Sequence, residues 1–412
     1  MQAILGIGFL LGLAWILSES RRTVRWRPVM VGLVVQLGLA VLLLRVPVVA
    51  ESLLVLNKLV YAVEAATGAG AGFVFGYLGG GDAPFTVSAQ GAMYVFAFRV
   101  LPQILVFSVL VALLWYWRVL PAVIRGFGYL LRRALDVGGA VGTAAASSVF
   151  LGMVEAPLVI RAYLERLSRS ELFTVMTCGM STVAGSIMVL YASVLGDVIT
   201  GALGHILAAS VINVVGAVVV SRIMIPADDA TAEEDGASGL SYVSNMDAIT
   251  RGTADGLRLA VNVGAMLVVL VSLIALVNQG LGAVTVGEGP LSLERMMGWV
   301  FSPVAWLIGI PWGEAQAAGA LLGTKLILNE LVAYLQLAGL PEGSLSDSSR
   351  LVMTYALCGF ANFGSLGILL GGLNTLVPER RKEILSIGPK TLISGTIVTC
   401  NTGAIVSLIG LF

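Results

Sequence analysis

Long apolar runs alternate with short polar connections along this chain, and most of the runs have the length that spans a bilayer, about 17–25 residues. Eight read as membrane-crossing helices: Met1–Leu17, Val29–Leu44, Met93–Trp117, Leu172–Leu195, Ile206–Ile223, Leu257–Val277, Leu351–Leu376 and Thr391–Phe412. Two further apolar stretches do not fit as single crossings. Val137–Ile160 has Arg132 and Arg133 before it and Arg161, Arg166 and Arg169 after it, so both flanks favour the cytoplasmic face and the segment is expected to enter and leave on one side. Leu291–Leu340 is too long for one crossing and carries Pro303, Gly309, Pro311, Gly319 and Gly323. It reads as two half-depth helices forming a second re-entrant hairpin, a form tolerated only where protein or a water-filled cavity satisfies the freed backbone.

Composition agrees with this pattern. Hydrophobic residues make up 58% of the 412 and charged residues only 12%, against about 25% charged in soluble domains, and mean hydropathy is +0.95. The fold class is therefore an all-α integral membrane protein. Formal net charge is zero, so nothing points to a nucleic-acid partner; the bilayer is the partner that composition demands. Cys178, Cys358 and Cys400 sit in apolar runs without metal-ligand spacing and read as small packing residues.

Charge distribution sets the orientation. Arg21, Arg22, Arg25 and Arg27 follow the first apolar run, the reverse of a secretory signal, so a retained first helix is expected with its N-terminus outside. With eight crossings and hairpins entering from opposite faces, both termini lie outside. All but six of the 24 Lys and Arg residues (Arg45, Lys58, Arg99, Arg295, Lys325 and Arg350) then fall on the cytoplasmic side. The expected location is the cell inner (plasma) membrane. The polar stretch Pro226–Asp247 becomes a cytoplasmic linker between two units that enter from opposite faces, an inverted repeat.

The two units carry matching motifs. Cys178-Gly179-Met180-Ser181-Thr182-Val183-Ala184-Gly185-Ser186 resembles Cys358-Gly359-Phe360-Ala361-Asn362-Phe363-Gly364-Ser365, each a glycine-broken apolar segment. Broken helices expose backbone amides and carbonyls at mid-membrane, where they bind ligand oxygens and cations. Each is preceded by an apolar stretch with a lone acid, Glu155 and Glu330, and an intramembrane acid ordinarily faces a polar interior and marks function. A structural pairing of Glu330 with Lys325 is the plainer alternative. Asn362 and Ser365, three apart, are placed to face one ligand. His205, alone in an apolar run, reads as a packed residue.

Glu155-Ala156-Pro157 after a glycine, Asn329-Glu330 followed by Val332-Ala333-Tyr334, and Cys358-Gly359-Phe360-Ala361-Asn362 with Gly364-Ser365 together resemble the signatures of concentrative nucleoside transporters, from about Val137 to the end of the chain. The resemblance implies eight spans, two opposed hairpins, a homotrimer, an elevator-type transport domain on a scaffold, and uptake of nucleosides driven by sodium or protons. The segments would then be scaffold helices over 1–117, an interfacial helix, first hairpin and first broken-helix pair over 118–225, the linker over 226–250, a scaffold helix over 251–280, and the second hairpin and broken-helix pair over 281–412. The resemblance places the sugar side of the substrate at Glu330, Asn362 and Ser365 with Phe360, and the base side at Met153, Val154, Glu155 and Ile187. It places the coupling ion at Ser148, Leu151, Thr182 and Val183. Two departures stand out: the family usually has Gln and Thr or Ser where this chain has Met153 and Val154, and Ser148 replaces an Asn amide. The first opens the alternative of a different small polar solute, and the second leaves sodium and proton coupling, the latter through Glu155 or Glu330, both open. No other cofactor is implied. An intramembrane hydrolase using the two glutamates is a remote alternative, because no nucleophile or metal cluster accompanies them.

Overall fold

The computed structural model describes residues 2–46, 62–87, 95–196, 198–226, 241–286 and 289–410. Lys58 and the acidic runs of the expected linker lie outside them. Among the described residues the regular elements are helices apart from a two-residue strand pair, Thr285–Val286 with Gly289–Pro290. Among the described residues, six helices are long and apolar enough to cross a membrane: Trp26–Arg45, Phe96–Tyr116, Arg169–Leu195, Ala202–Met224, Asn245–Leu281 and Pro378–Gly410. The expected first span is a shorter helix of 15 residues, Gln2–Ile16. The expected span Leu351–Leu376 is divided into Asp347–Leu357 and Phe363–Leu376.

One series of elements occurs twice. Val119–Leu135 leads into a hairpin whose arms are Gly139–Ser147 and Glu155–Val159, then into the broken helix Arg169–Ser181 and Gly185–Leu195, then into Ala202–Met224. Leu293–Leu307 leads likewise into a hairpin, Trp312–Ile327 and Glu330–Ala338, then into the broken helix Asp347–Leu357 and Phe363–Leu376, then into the terminal Arg381–Gly410. Val119–Leu135 buries Leu120, Ile124, Gly128, Leu131 and Leu135, a one-sided stripe at helical spacing.

The second series corrects the boundaries expected within Leu291–Leu340. Three helices stand where two were expected, because the sharp break is a 117° bend between Leu293–Leu307 and Trp312–Ile327. Pro303 lies inside the first of these helices. The bend is made at Gly309, where φ is +109°, and Gln2 donates its amide to the freed Ile310 carbonyl at 2.9 Å. Gly319 and Gly323 break nothing; they lie within Trp312–Ile327 and face Leu293–Leu307.

Burial separates a centre from a periphery. Ala202–Met224 is 83% buried over its most apolar window and Asn245–Leu281 only 6%. The long helix packs along Phe96–Tyr116, and the approach is close because Gly252 and Gly256 face it: a Cβ at either would lie 2.8 Å from the Cα of Val109 or Leu105. The stretch 1–117 does not pack as one layer. Gln2–Ile16 and Trp26–Arg45 lie against the central spans, where Gln36 donates to Thr402 Oγ1 at 3.3 Å and accepts from Asn401 Nδ2 at 3.1 Å. At one end of the bundle Glu19 accepts hydrogen bonds from Arg169 at 2.8 Å and Lys390 at 2.6 Å. Arg169 in particular holds the Glu19 carboxyl down to about 2, so this clamp persists at neutral pH and opens only as pH falls toward that value.

Candidate functional site

The two broken helices cross with their breaks facing each other. Each half-helix leaves carbonyls without intrahelical donors, and one side chain serves both: Asn213, on the buried span Ala202–Met224, donates Nδ2 to the Ser181 carbonyl and to the Cys358 carbonyl, each at 2.8 Å. Phe360 N–H donates to the Thr182 carbonyl at 3.3 Å. Gly359 is required where the chains meet. Its φ is +152°, and a Cβ there would lie 2.7 Å from the Ser181 oxygen.

Lys325 closes the end of the second break. Its Nζ donates to the Ala356 carbonyl at 2.9 Å and to Thr399 Oγ1 at 2.7 Å, a cation at the negative end of the half-helix Asp347–Leu357. The ammonium is thus engaged by the helix end rather than hydrogen-bonded to Glu330.

Beside these breaks is a cavity of about 390 Å³, lined by both hairpin tips and both broken helices. All eight residues expected at a substrate site border it: Met153, Val154, Glu155, Ile187, Glu330, Phe360, Asn362 and Ser365. Glu330 opens the second arm of its hairpin and is only 4% exposed. A buried carboxylate needs donors, and it has two: Tyr191 Oη donates to Oε1 and Asn362 Nδ2 donates to Oε2, the latter at 2.9 Å. Tyr191 in turn lies against Tyr334, ring centroids 5.0 Å apart. Asn362 is the N-cap of Phe363–Leu376, its Oδ1 accepting from Ser365 N–H at 2.7 Å. The cap fixes the amide orientation and commits the carbonyl, so Asn362 offers a ligand its Nδ2 and not a full amide. Glu155 begins the second arm of the first hairpin, exposed to the cavity, with its carboxylate over Gly152. Val154 packs on Gly372, and Met153 on Gly179.

The four residues expected at an ion site lie at the first hairpin tip and the first break, which meet where Gly185 N–H donates to the Phe150 carbonyl at 2.9 Å. Leu151 borders the cavity; Ser148, Thr182 and Val183 are buried behind it. The Ser148 hydroxyl donates to Ala145 O at 2.8 Å and the Thr182 hydroxyl to Cys178 O at 3.0 Å, leaving oxygen lone pairs free to accept. Neutral hydroxyl and carbonyl oxygens suit a hard cation. Among the described residues no cluster of three or more His, Cys, Asp or Glu is placed to hold a metal.

His205 is packed, its Nδ1 hydrogen-bonded with Tyr355 Oη at 2.9 Å, and the three cysteines are buried free thiols. Three residues important to the geometry were not singled out from sequence as site residues. Tyr191 lies one turn beyond Ile187 on the same half-helix. Asn213 is an amide inside an apolar span, itself a signal of interhelical bonding. Asp255, which also borders the cavity, precedes the run first taken as a span.

Three family models match successive parts of the chain: Na+ dependent nucleoside transporter N-terminus over residues 5–78, nucleoside recognition (Gate) over 97–198, and Na+ dependent nucleoside transporter C-terminus over 205–407. The nucleoside permease NupC of Helicobacter pylori is 36% identical over 98% of this chain and 97% of that protein. The sodium/nucleoside cotransporter 1 of Rattus norvegicus is 32% identical over 96% of this chain and 61% of that protein. The solved structure of CNTnw in an inward-facing substrate-bound state superimposes with a TM-score of 0.90 at 35% identity, covering 100% of this chain and 98% of that one.

Proposed function

From the membership of this chain in the concentrative nucleoside transporter family, which makes it a transporter and not an enzyme, we propose cation-coupled uptake of a nucleoside or nucleoside-like glycoside. The observation that carries the site assignment is the buried Glu330 carboxylate, held by Tyr191 and Asn362 at the wall of the cavity of about 390 Å³ between two broken helices. Glu330, Asn362 and Ser365, with Phe360 alongside, take the sugar hydroxyls; Glu155, Met153, Val154 and Ile187 meet the base. A coupling cation sits among Ser148, Leu151, Thr182 and Val183, orders the first hairpin, and lets the loaded domain move.

The packing supports a different division of that machine. Phe96–Tyr116 and Asn245–Leu281, paired along their glycines, form the scaffold, and the exposed apolar face of the long helix (Val261, Val268, Leu273, Leu276) serves subunit and lipid contacts of a homotrimer. The hairpins, broken helices and central spans move past it as the transport domain, and Gln2–Ile16 and Trp26–Arg45, bonded to those spans, travel with them. Eight crossings, with the two series inserted in opposite senses and both termini outside, complete the arrangement in the inner membrane.

The coupling ion is tested in proteoliposomes. Uptake is expected to rise with an inward sodium gradient at fixed pH, and Thr182→Ala to abolish that dependence by removing a ligand oxygen. Uptake that ignores sodium and follows a pH gradient would transfer the coupling to a proton; uptake indifferent to both would leave a facilitator.

Met153 and Val154 explain which ligands this site holds poorly. They present thioether and methyl surface to a base edge, and each missing hydrogen bond costs about 0.5–1.5 kcal/mol. Met153→Gln with Val154→Thr is expected to tighten uridine binding about tenfold, or about 1.4 kcal/mol, while weakening the native substrate. An unchanged ranking across a nucleoside panel would remove both residues from the base site.

A further inference from the structure

The wall of the cavity opposite the hairpins belongs to the paired outer helices. Gly252, Asp255, Leu259 and Asn262 of Asn245–Leu281 border it at steps of three and four, with Ser108 of the neighbouring helix and Tyr242 just before the long helix. Among the described residues, those lining the cavity include three carboxylates, Glu155, Asp255 and Glu330, and no Lys, Arg or His. Glu330 is already engaged by two donors. Asp255 forms no ion pair among the described residues, since Arg251, one turn away, pairs with Asp247 at 3.0 Å. Glu155 and Asp255 are both exposed and border the same cavity from opposite walls, one on the first hairpin and the other on the long helix.

Around them the chemistry is one-sided. Met153, Val154, Ile187 and Phe360 offer a ligand no side-chain hydrogen. The hydroxyls of Ser108, Ser186 and Tyr242 and the amide of Asn262 can donate or accept, so the carboxylates, which in their ionised form only accept, decide what the subsite prefers. An exocyclic amino group brings two N–H donors and can satisfy both acids. A carbonyl at the same place turns lone pairs toward them. Uridine and inosine keep one ring N–H, but in uridine it lies between two carbonyls and in inosine beside one.

We propose that Glu155 of the first hairpin and Asp255 of the long helix together form an acceptor subsite that selects nucleosides bearing an exocyclic amino group over those carrying a carbonyl there. This rests on the nucleoside reading above. Because Asp255 belongs to the outer helices while Glu155 belongs to the moving part, the subsite is whole only in the conformation seen here, so Asp255 discriminates in one state of the cycle.

The test is competition binding of cytidine, uridine, adenosine and inosine to the purified, reconstituted protein. Cytidine and adenosine are expected to bind roughly tenfold or more tightly than uridine and inosine, as a site built to pair a donor rejects the analogue lacking it. Asp255→Asn should shrink each ratio to within about threefold, and Asp255→Glu should retain it. Equal or reversed affinities in the native protein, or ratios unmoved by Asp255→Asn, would overturn the subsite while leaving four measurable affinities. Binding of none of the four would overturn the nucleoside reading itself, and the subsite with it.

Discussion

Replacing Glu330 by Gln is expected to reduce nucleoside uptake to background while the protein still assembles. The carboxylate is engaged at both oxygens, with Tyr191 on one and Asn362 on the other. A substrate hydroxyl donating to it makes a charge-assisted bond, and hydrogen bonds to charged groups are worth about 1.5–3 kcal/mol each. Gln removes the charge and leaves one acceptor oxygen, which Asn362 Nδ2 holds, while its amide nitrogen turns to Tyr191 Oη, so the charge-assisted sugar contacts are weakened and one acceptor is lost. A loss of affinity of roughly hundredfold or more follows, about 2.7 kcal/mol. Radiolabelled uptake, with size-exclusion elution as the folding control, reads both parts, and uptake at the native rate would remove Glu330 from the sugar site.

The second large effect concerns the frame and not the ligand. Asn213→Leu takes away the one amide that donates to both half-helix ends, leaving the Ser181 and Cys358 carbonyls without it in a buried setting. An unsatisfied buried group costs about 1–3 kcal/mol, so the two together give about 2–6 kcal/mol. Thermal unfolding of the purified protein should shift down by roughly 2–7 °C for a chain of this length. An unshifted transition would mean that the two breaks are held by their other contacts, chiefly Phe360 N–H on Thr182 O.

The class of protein, the first hairpin, both helix breaks and eight of the residues bordering the cavity are legible in the sequence, because each rests on a local cue: an apolar run of set length, a hairpin with basic flanks on both sides, a glycine pair, a lone acid in an apolar stretch. What escaped depends on relations between distant segments. Pro303, Gly319 and Gly323 look like breaks, yet Pro303 sits within a helix and the two glycines serve close packing between helices, which hydropathy cannot distinguish from interruption. The packing of the first two helices on the central spans depends on bonds such as Gln36 with Asn401, 365 positions apart. Asp255 is not legible as a site residue because the polar residues near it shorten the apparent span to begin at Leu257, although the helix starts at Asn245. Asn362 was legible as a polar residue on a broken helix, but that its carbonyl caps that helix is a matter of backbone geometry.

The central claim is that the cavity between the breaks holds a nucleoside with its sugar on Glu330 and its base toward Glu155. A structure of the protein with a bound nucleoside tests it most directly. The account predicts ribose hydroxyls within hydrogen-bonding distance of the Glu330 carboxylate and Asn362 Nδ2, and the base edge between Glu155 and Asp255. A nucleoside bound elsewhere, or turned so that its base lies on Glu330, would contradict it.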